Sequence, residues 1–331
     1  MLGFQNWGSS LGPRAIAALL LGLASRSNAG DLPPPPANPY LGPSQDPDNI
    51  LKYITSNTLT GIAFALILTI AFIQTYWIRK WGPKWMLCLV IGEYTYALGF
   101  ALRFGLHYAP DSRNLYIVED FFVVLSPCAF IAADYILLGR IARYLDCAEY
   151  LLVPSQRITA IFVTSDITTF MIQAAGGGIS VSNNISTALA GEHIFLAGLA
   201  LQLASFFTFT CIYCCFLYRV HKHKPEIWAK DRGGTWYRDW RVLAGALSLS
   251  CVGILVRSVY RVVELSQGYQ GYLTTTEAYF YGLDTLPLLV AISAYIPFWP
   301  GRFIPSESTV LGSESQVDSI DKDMQNSAAL A

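Results

Sequence analysis

The chain has 331 residues, of which 53% are hydrophobic and only 14% charged, with a formal net charge of −1. A soluble domain carries about a quarter charged residues, so this composition points to an integral membrane protein. A net charge so near zero creates no global field, which removes nucleic acid from the expected partners.

In chain order, the first predicted element is a signal-like head. Arg14 precedes an apolar stretch over residues 15–24 and mostly small residues up to Ala29. This pattern predicts a secretory signal peptide over residues 1–29, with an uncleaved head as the alternative. Residues 30–56 contain "DLPPPPANPYLGPSQDPDN", whose prolines suit an extended extracellular spacer. A bilayer span needs roughly 20 mostly apolar residues. Seven stretches meet that requirement: 57–78, 85–106, 115–138, 158–179, 194–218, 242–265 and 274–298. The predicted fold class is therefore an all-α integral membrane protein with seven transmembrane helices over residues 57–300. Residues 301–331 are Ser-rich and acidic, as expected of a disordered tail.

Loop charge predicts the orientation. The first, third and fifth loops carry Arg79, Lys80 and Lys84; Arg140, Arg143 and Arg157; and Arg219, Lys222, Lys224, Lys230, Arg232, Arg238 and Arg241. The second loop offers only Arg113, and the fourth and sixth offer none. The positive-inside rule then places the N-terminus outside and the C-terminus in the cytosol. Asn184-Ile185-Ser186 is an N-glycosylation acceptor in the fourth loop, on the expected outer side. No cysteine falls in the expected outer loops, so no extracellular disulfide is predicted. Cys211, Cys214 and Cys215 lie near the cytosolic end of the fifth span, where helix packing and palmitoylation are the two readings.

The spans carry ionisable groups where charge is expensive. Arg257, Arg261 and Glu264 are spaced i, i+4, i+7 and share a helix face that Tyr260 adjoins. Glu277, Tyr281 and Asp284 repeat that spacing in the last span. At 1.5 Å per residue, Arg257 lies roughly 12–14 Å and Asp284 roughly 15 Å below the outer surface, so the two can meet. Asp166 and Gln173, also i, i+7, precede "AAGGG", which permits close backbone approach or a helix break. Asp120 and Asp134 lie in the third span, Glu93 and Arg103 in the second, and Gln202 in the fifth. Acids outnumber arginines in these spans. Two readings follow: structural ion-pair glue, or a polar cavity that accepts a charged or amphipathic substrate.

"GRIARYL", "TSDITTFMIQAAGGG" and "VRSVYRVVELSQGYQGYLTTTEAYFYGLDTLPLL" resemble the fungal RTA-like, lipid-translocating exporter family. The family includes aminocholesterol-resistance proteins and a sphingoid long-chain-base exporter, and porphyrin transport is associated with one branch. The resemblance covers residues 53–300 and falls on Asp166, Gln173, Gly176, Arg257, Tyr260, Arg261, Glu264, Gly268, Gly271, Glu277, Tyr281, Asp284 and Pro287. It implies seven spans, an outside N-terminus and a role in lipid movement or lipid-stress resistance. Membrane lipids are then the expected partners, and the plasma membrane the expected site, with another endomembrane as the alternative.

Other functions fit less well. His107, His193, His221 and His223 show no metal-ligand spacing, and no HExxH or Walker A motif occurs. Neither a cofactor nor an enzymatic activity is expected. A seven-helix lipid sensor or receptor-like protein is the alternative. No Asp-Arg-Tyr follows the third span, no Asn-Pro-x-x-Tyr ends the seventh, and the seventh lacks a lysine for a retinal Schiff base.

Overall fold

The computed structural model describes residues 40, 43, 49–180, 182, 184–229, 239–268 and 271–304. The expected signal peptide, most of the spacer and nearly all of the tail lie outside these residues. So do Lys230, Arg232 and Arg238. Among the described residues the chain is all helical, with no strand.

Six helices are long and apolar enough to cross a membrane. They are α1 (Asn57–Trp81), α2 (Leu87–Tyr108), α3 (Arg113–Tyr144), α4 (Ser155–Ser180), α5 (Ile185–His223) and α6 (Trp240–Ser266). The seventh stretch, α7, differs from the expected single helix over 274–298. It is an α-turn at Glu277–Tyr279, a π-helical segment at Phe280–Thr285 and a short α-helix at Leu286–Ser293. Pro287 explains the break. It has no N–H to give to the carbonyl one turn back, and its ring crowds that carbonyl, so the preceding turn widens.

Local signals set the other helix ends. Gly82 closes α1 at φ 72°, its N–H donating to the Ile78 carbonyl at 2.8 Å. That left-handed backbone suits a residue without a side chain. The Asn184 side chain accepts from the Ser186 N–H at the start of α5, and Asp239 accepts from the Arg241 N–H at the start of α6. Both are N-caps that satisfy otherwise orphan amides. Helix α5 runs over Ile185–His223, beginning well before the expected 194–218 at the Asn184 cap and running past it through the basic turn Arg219–His223.

Consecutive helices pack side by side, and α7 returns to touch α1. Helix α3 is central, touching α2, α4, α5 and α6. The bundle end at which α1 starts is here called upper, the other lower. Two close approaches hold the walls. A Cβ on Gly176 of α4 would collide with the Phe195 amide and lie 2.8 Å from the Gly191 carbonyl of α5. The "AAGGG" run therefore permits close approach and does not break α4. Gly253 of α6 likewise leaves room for the Pro287 carbonyl and for Ala291 of α7.

The pattern of polarity is inside-out. Ile62, Leu66 and Phe72 of α1, Ile167 and Met171 of α4, and Val252, Val256, Val259 and Val263 of α6 face outward. Glu93, Arg103, Glu119, Asp134, Arg257 and Asp284 are buried. That arrangement suits a lipid solvent, where an apolar exterior costs nothing and charge must be sequestered.

Candidate functional site

Four polar clusters occupy the bundle. The upper one gathers around Arg103 of α2. Its guanidinium meets Glu119 of α3 at 3.1 Å, donates to the Tyr53 hydroxyl at 2.8 Å and lies 4.0 Å from the Phe280 ring centroid. Tyr281 completes the cluster, accepting from Arg103 at 3.4 Å and meeting Thr60 at 2.9 Å. Burial pushes the Tyr53 phenol up to about 12 against the nearby Arg103 charge. Tyr53 therefore serves Arg103 as a neutral acceptor. Beside this cluster Glu277 accepts from the Ser56 amide at 2.8 Å, and His107 meets the Thr55 carbonyl at 2.6 Å. The end of the expected spacer is thus strapped onto the bundle.

The central cluster joins α3, α6 and α7. Arg257 and Asp284 lie 3.0 Å apart, and Arg261 reaches the same Asp284 oxygen at 3.1 Å. Arg261 also meets Asp120 at 3.0 Å and Glu264 at 2.9 Å, and Tyr260 donates to Glu264 at 3.1 Å. One further link comes from a proline. Pro127 in α3 cannot donate to the Val123 carbonyl, and Arg257 fills that role with a 2.9 Å hydrogen bond. In the lower half, Asp134 accepts from Ser250 at 2.8 Å and Tyr295 at 2.7 Å.

The fourth cluster lies laterally, where α3, α4 and α5 meet. Asp166 is 4% exposed, and neither of its oxygens has a hydrogen-bond partner. Among the described residues no cation forms an ion pair with it. The hydroxyls of Tyr135 and Ser205 are its polar neighbours. One turn or two above it, Gln173 donates to Gln202 at 2.8 Å, and Gln202 donates to the Cys128 sulfur at 3.3 Å. Asp166 borders a crevice of about 90 Å³ between α3 and α4, together with Leu125, Cys128, Ala132, Ile167 and Phe170. The wall of this cleft is apolar, and both carboxylate oxygens lie buried behind it. A cation with an apolar body is the chemical complement of an unpaired carboxylate beside such a cleft.

The sequence-derived residues therefore fall into separate places. Arg257, Tyr260, Arg261, Glu264 and Asp284 come together. Tyr281 joins the upper cluster and Glu277 the strap beside it, because the wide π turn moves them off the Asp284 face. Asp166 and Gln173 stand apart on the α4 side. Asn184 is exposed at the top of α5. Sequence reasoning missed Glu119, Tyr53 and the Pro127–Val123–Arg257 link. A signal existed for Glu119, since it and Arg103 sit at matching depths on either side of the short α2–α3 turn. Glu93 also lacks a partner for either oxygen, but it is 0% exposed and does not line the α3–α4 crevice.

No solved structure matches the chain. Protein RTA1 of Saccharomyces cerevisiae is 30% identical over 211 residues, 64% of each chain. Protoporphyrin uptake protein 1 of the same yeast is 29% identical over 186 residues, 56% of this chain and 59% of the relative. The chain thus spans less than two thirds of the length of either relative. The sphingoid long-chain base transporter RSB1 of that yeast is 26% identical over 277 residues, 75% of this chain and 72% of the relative. The family model described as RTA1 like protein matches residues 89–307, from within α2 to beyond α7 and across all four clusters, and the chain belongs to that family.

Proposed function

We propose that the chain moves amphipathic lipids with a cationic head, such as sphingoid long-chain bases, across or out of the membrane. In this reading α7 is the seventh span, the upper end faces outward, and the lower end faces the cytosol. The basic residues Arg79, Lys80, Lys84, Arg140, Arg143, Arg157 and Lys224 at the lower end support that orientation. The observation that carries the reading is the unpaired Asp166 carboxylate beside the α3–α4 crevice. The ammonium of the lipid pairs with Asp166, with Gln173 and Gln202 nearby to hydrogen-bond its hydroxyls. The crevice has room for a headgroup, so the alkyl tail stays among the outward apolar side chains of α4. The relative named as a sphingoid base transporter makes this class the first to test.

The test is release of labelled phytosphingosine from liposomes containing the purified protein. Wild type is expected to release the label above the rate of empty liposomes. Asp166→Asn keeps the size and hydrogen-bonding capacity but removes the charge, and is expected to abolish the gain. Normal release by Asp166→Asn would remove the carboxylate from the mechanism. If wild type gives cells resistance to the base but no flux in liposomes, the lipid-sensor alternative is the better reading.

A further inference from the structure

We propose that Cys211, Cys214 and Cys215 form an S-acylation site that accepts a long-chain fatty acyl group. Their spacing, i, i+3, i+4, puts them on one face of α5. That face also carries Phe207, Tyr218 and Lys222. All three cysteines are exposed, whereas Phe209, Ile212, Tyr213, Phe216 and Val220 on the other side of α5 are buried. Helix packing within this chain therefore does not account for three small thiol residues here. They form a lipid-facing patch that no other helix among the described residues covers.

The depth of the patch is marked by its neighbours. Tyr218 is 65% exposed, and the Lys222 ammonium sits 6.0 Å from its ring centroid. Exposed tyrosine and lysine together mark the membrane–water boundary. Arg219 is in the same turn. At 1.5 Å per residue, Cys215 lies about 6 Å and Cys211 about 12 Å along the axis from Arg219. The thiols of Cys214 and Cys215 thus sit just inside the lower boundary, where an acyl chain attached to sulfur runs directly into the bilayer. Cysteines at the edge of a span accept such chains. The cysteine sulfur attacks the carbonyl of an acyl-coenzyme A thioester. A new carbon–sulfur bond forms, the bond to the coenzyme sulfur breaks, and the thiol proton ends on the released coenzyme A. No oxidant or reductant is required. The inference is independent of the lipid substrate and rests on the lower end being cytosolic, where acyl-coenzyme A is available.

The full chain, epitope-tagged, is expressed in yeast cells fed an alkyne-bearing palmitate, then captured and coupled to a fluorophore. Wild type is expected to carry label that hydroxylamine removes, as a thioester requires. The Cys214→Ser, Cys215→Ser double variant is expected to lose most of it. Adding Cys211→Ser is expected to bring it to background, with the other four cysteines intact. Persistent hydroxylamine-sensitive label in the triple variant overturns the proposal. So does unlabelled wild type that has reached the membrane, or a wild type whose patch thiols join two copies under mild oxidation and carry no acyl group. Should the triple variant fail to accumulate, mass spectrometry of the wild-type peptide decides. Thioester-blocked sulfur supports the site, and three free thiols overturn it.

Discussion

The upper and central clusters of the α2–α3–α6–α7 side and Asp166 on the α3–α4–α5 side handle buried charge in opposite ways. On the first, Arg103, Arg257 and Arg261 each meet at least one carboxylate, and Arg261 bridges three. On the second, Asp166 has only hydroxyls and amides near it. Pairing cancels most of the cost of charge in the membrane, so the first side holds its own arrangement together. An unpaired carboxylate has no such return from the protein alone. The contrast separates charge that holds helices in place from charge without a cation, which the proposed function assigns to a ligand.

The most severe way to break the paired side is Arg261→Leu, which leaves Asp120, Glu264 and Asp284 without their shared cation. Removing one member of a buried pair costs about 3–5 kcal/mol, so loss of folded, membrane-delivered protein is expected. Glu264→Gln in the same chain should restore part of it, since Arg261 is the one cation Glu264 meets among the described residues and that orphan charge is then gone. The readout is the amount of monodisperse protein recovered in detergent. A double variant no better than Arg261→Leu alone would show that Glu264 is not the partner that matters.

How much of this was legible in the sequence depended on helix regularity. The 257/261/264 stripe was readable because α6 is an uninterrupted α-helix, so the i, i+4, i+7 rule applies. The same rule grouped Glu277 and Tyr281 with Asp284 and separated from them only in the structure, because Pro287 converts the preceding turn to π geometry. The isolation of Asp166 was not readable either. Acids outnumbering arginines showed that some carboxyl lacks a cation, but which one depends on how Arg261 distributes its contacts. The Val123 carbonyl could not be foreseen as an Arg257 partner without the depth of Pro127 relative to α6.

A smaller effect tests the wall behind Asp166. Gly176→Leu forces α4 away from Gly191 and Phe195 of α5. Overpacking of this kind costs about 1–3 kcal/mol, and a lowered melting temperature is expected. Because α4 carries Asp166, phytosphingosine release should fall as well. A variant with lower stability but unchanged release would show that the α4–α5 contact does not position the carboxylate.

Asp239→Ala should cost less, about 1 kcal/mol, as usual for an N-cap. Asp239 accepts from the Arg241 amide at 2.9 Å and pairs with its guanidinium. The side-chain hydrogen bond from Arg241 holds its carboxyl below the ordinary value of 3.8. The cap's contribution is therefore complete above pH 3.8 and lost as the pH falls through the depressed value. The gap in melting temperature between wild type and Asp239→Ala should be present at neutral pH and close under strongly acidic conditions. A gap that stays constant with pH would show that the charge of Asp239 does not matter.

The smallest expected stability change is the most informative, because it makes one substitution on both sides. Asp284→Asn removes a negative charge shared by Arg257 and Arg261, so it leaves buried cations under-compensated and should lower the melting temperature. Asp166→Asn removes a charge that no cation among the described residues compensates. It abolishes the desolvation cost of the carboxylate and keeps an amide of the same size beside the Tyr135 and Ser205 hydroxyls. Its melting temperature should therefore equal or exceed that of wild type. Added phytosphingosine should then raise the melting temperature of wild type and leave Asp166→Asn unmoved, since a ligand stabilises only the state it binds. If Asp166→Asn is destabilised as far as Asp284→Asn, Asp166 belongs with the charges that hold the helices, and the distinction between the two sides fails.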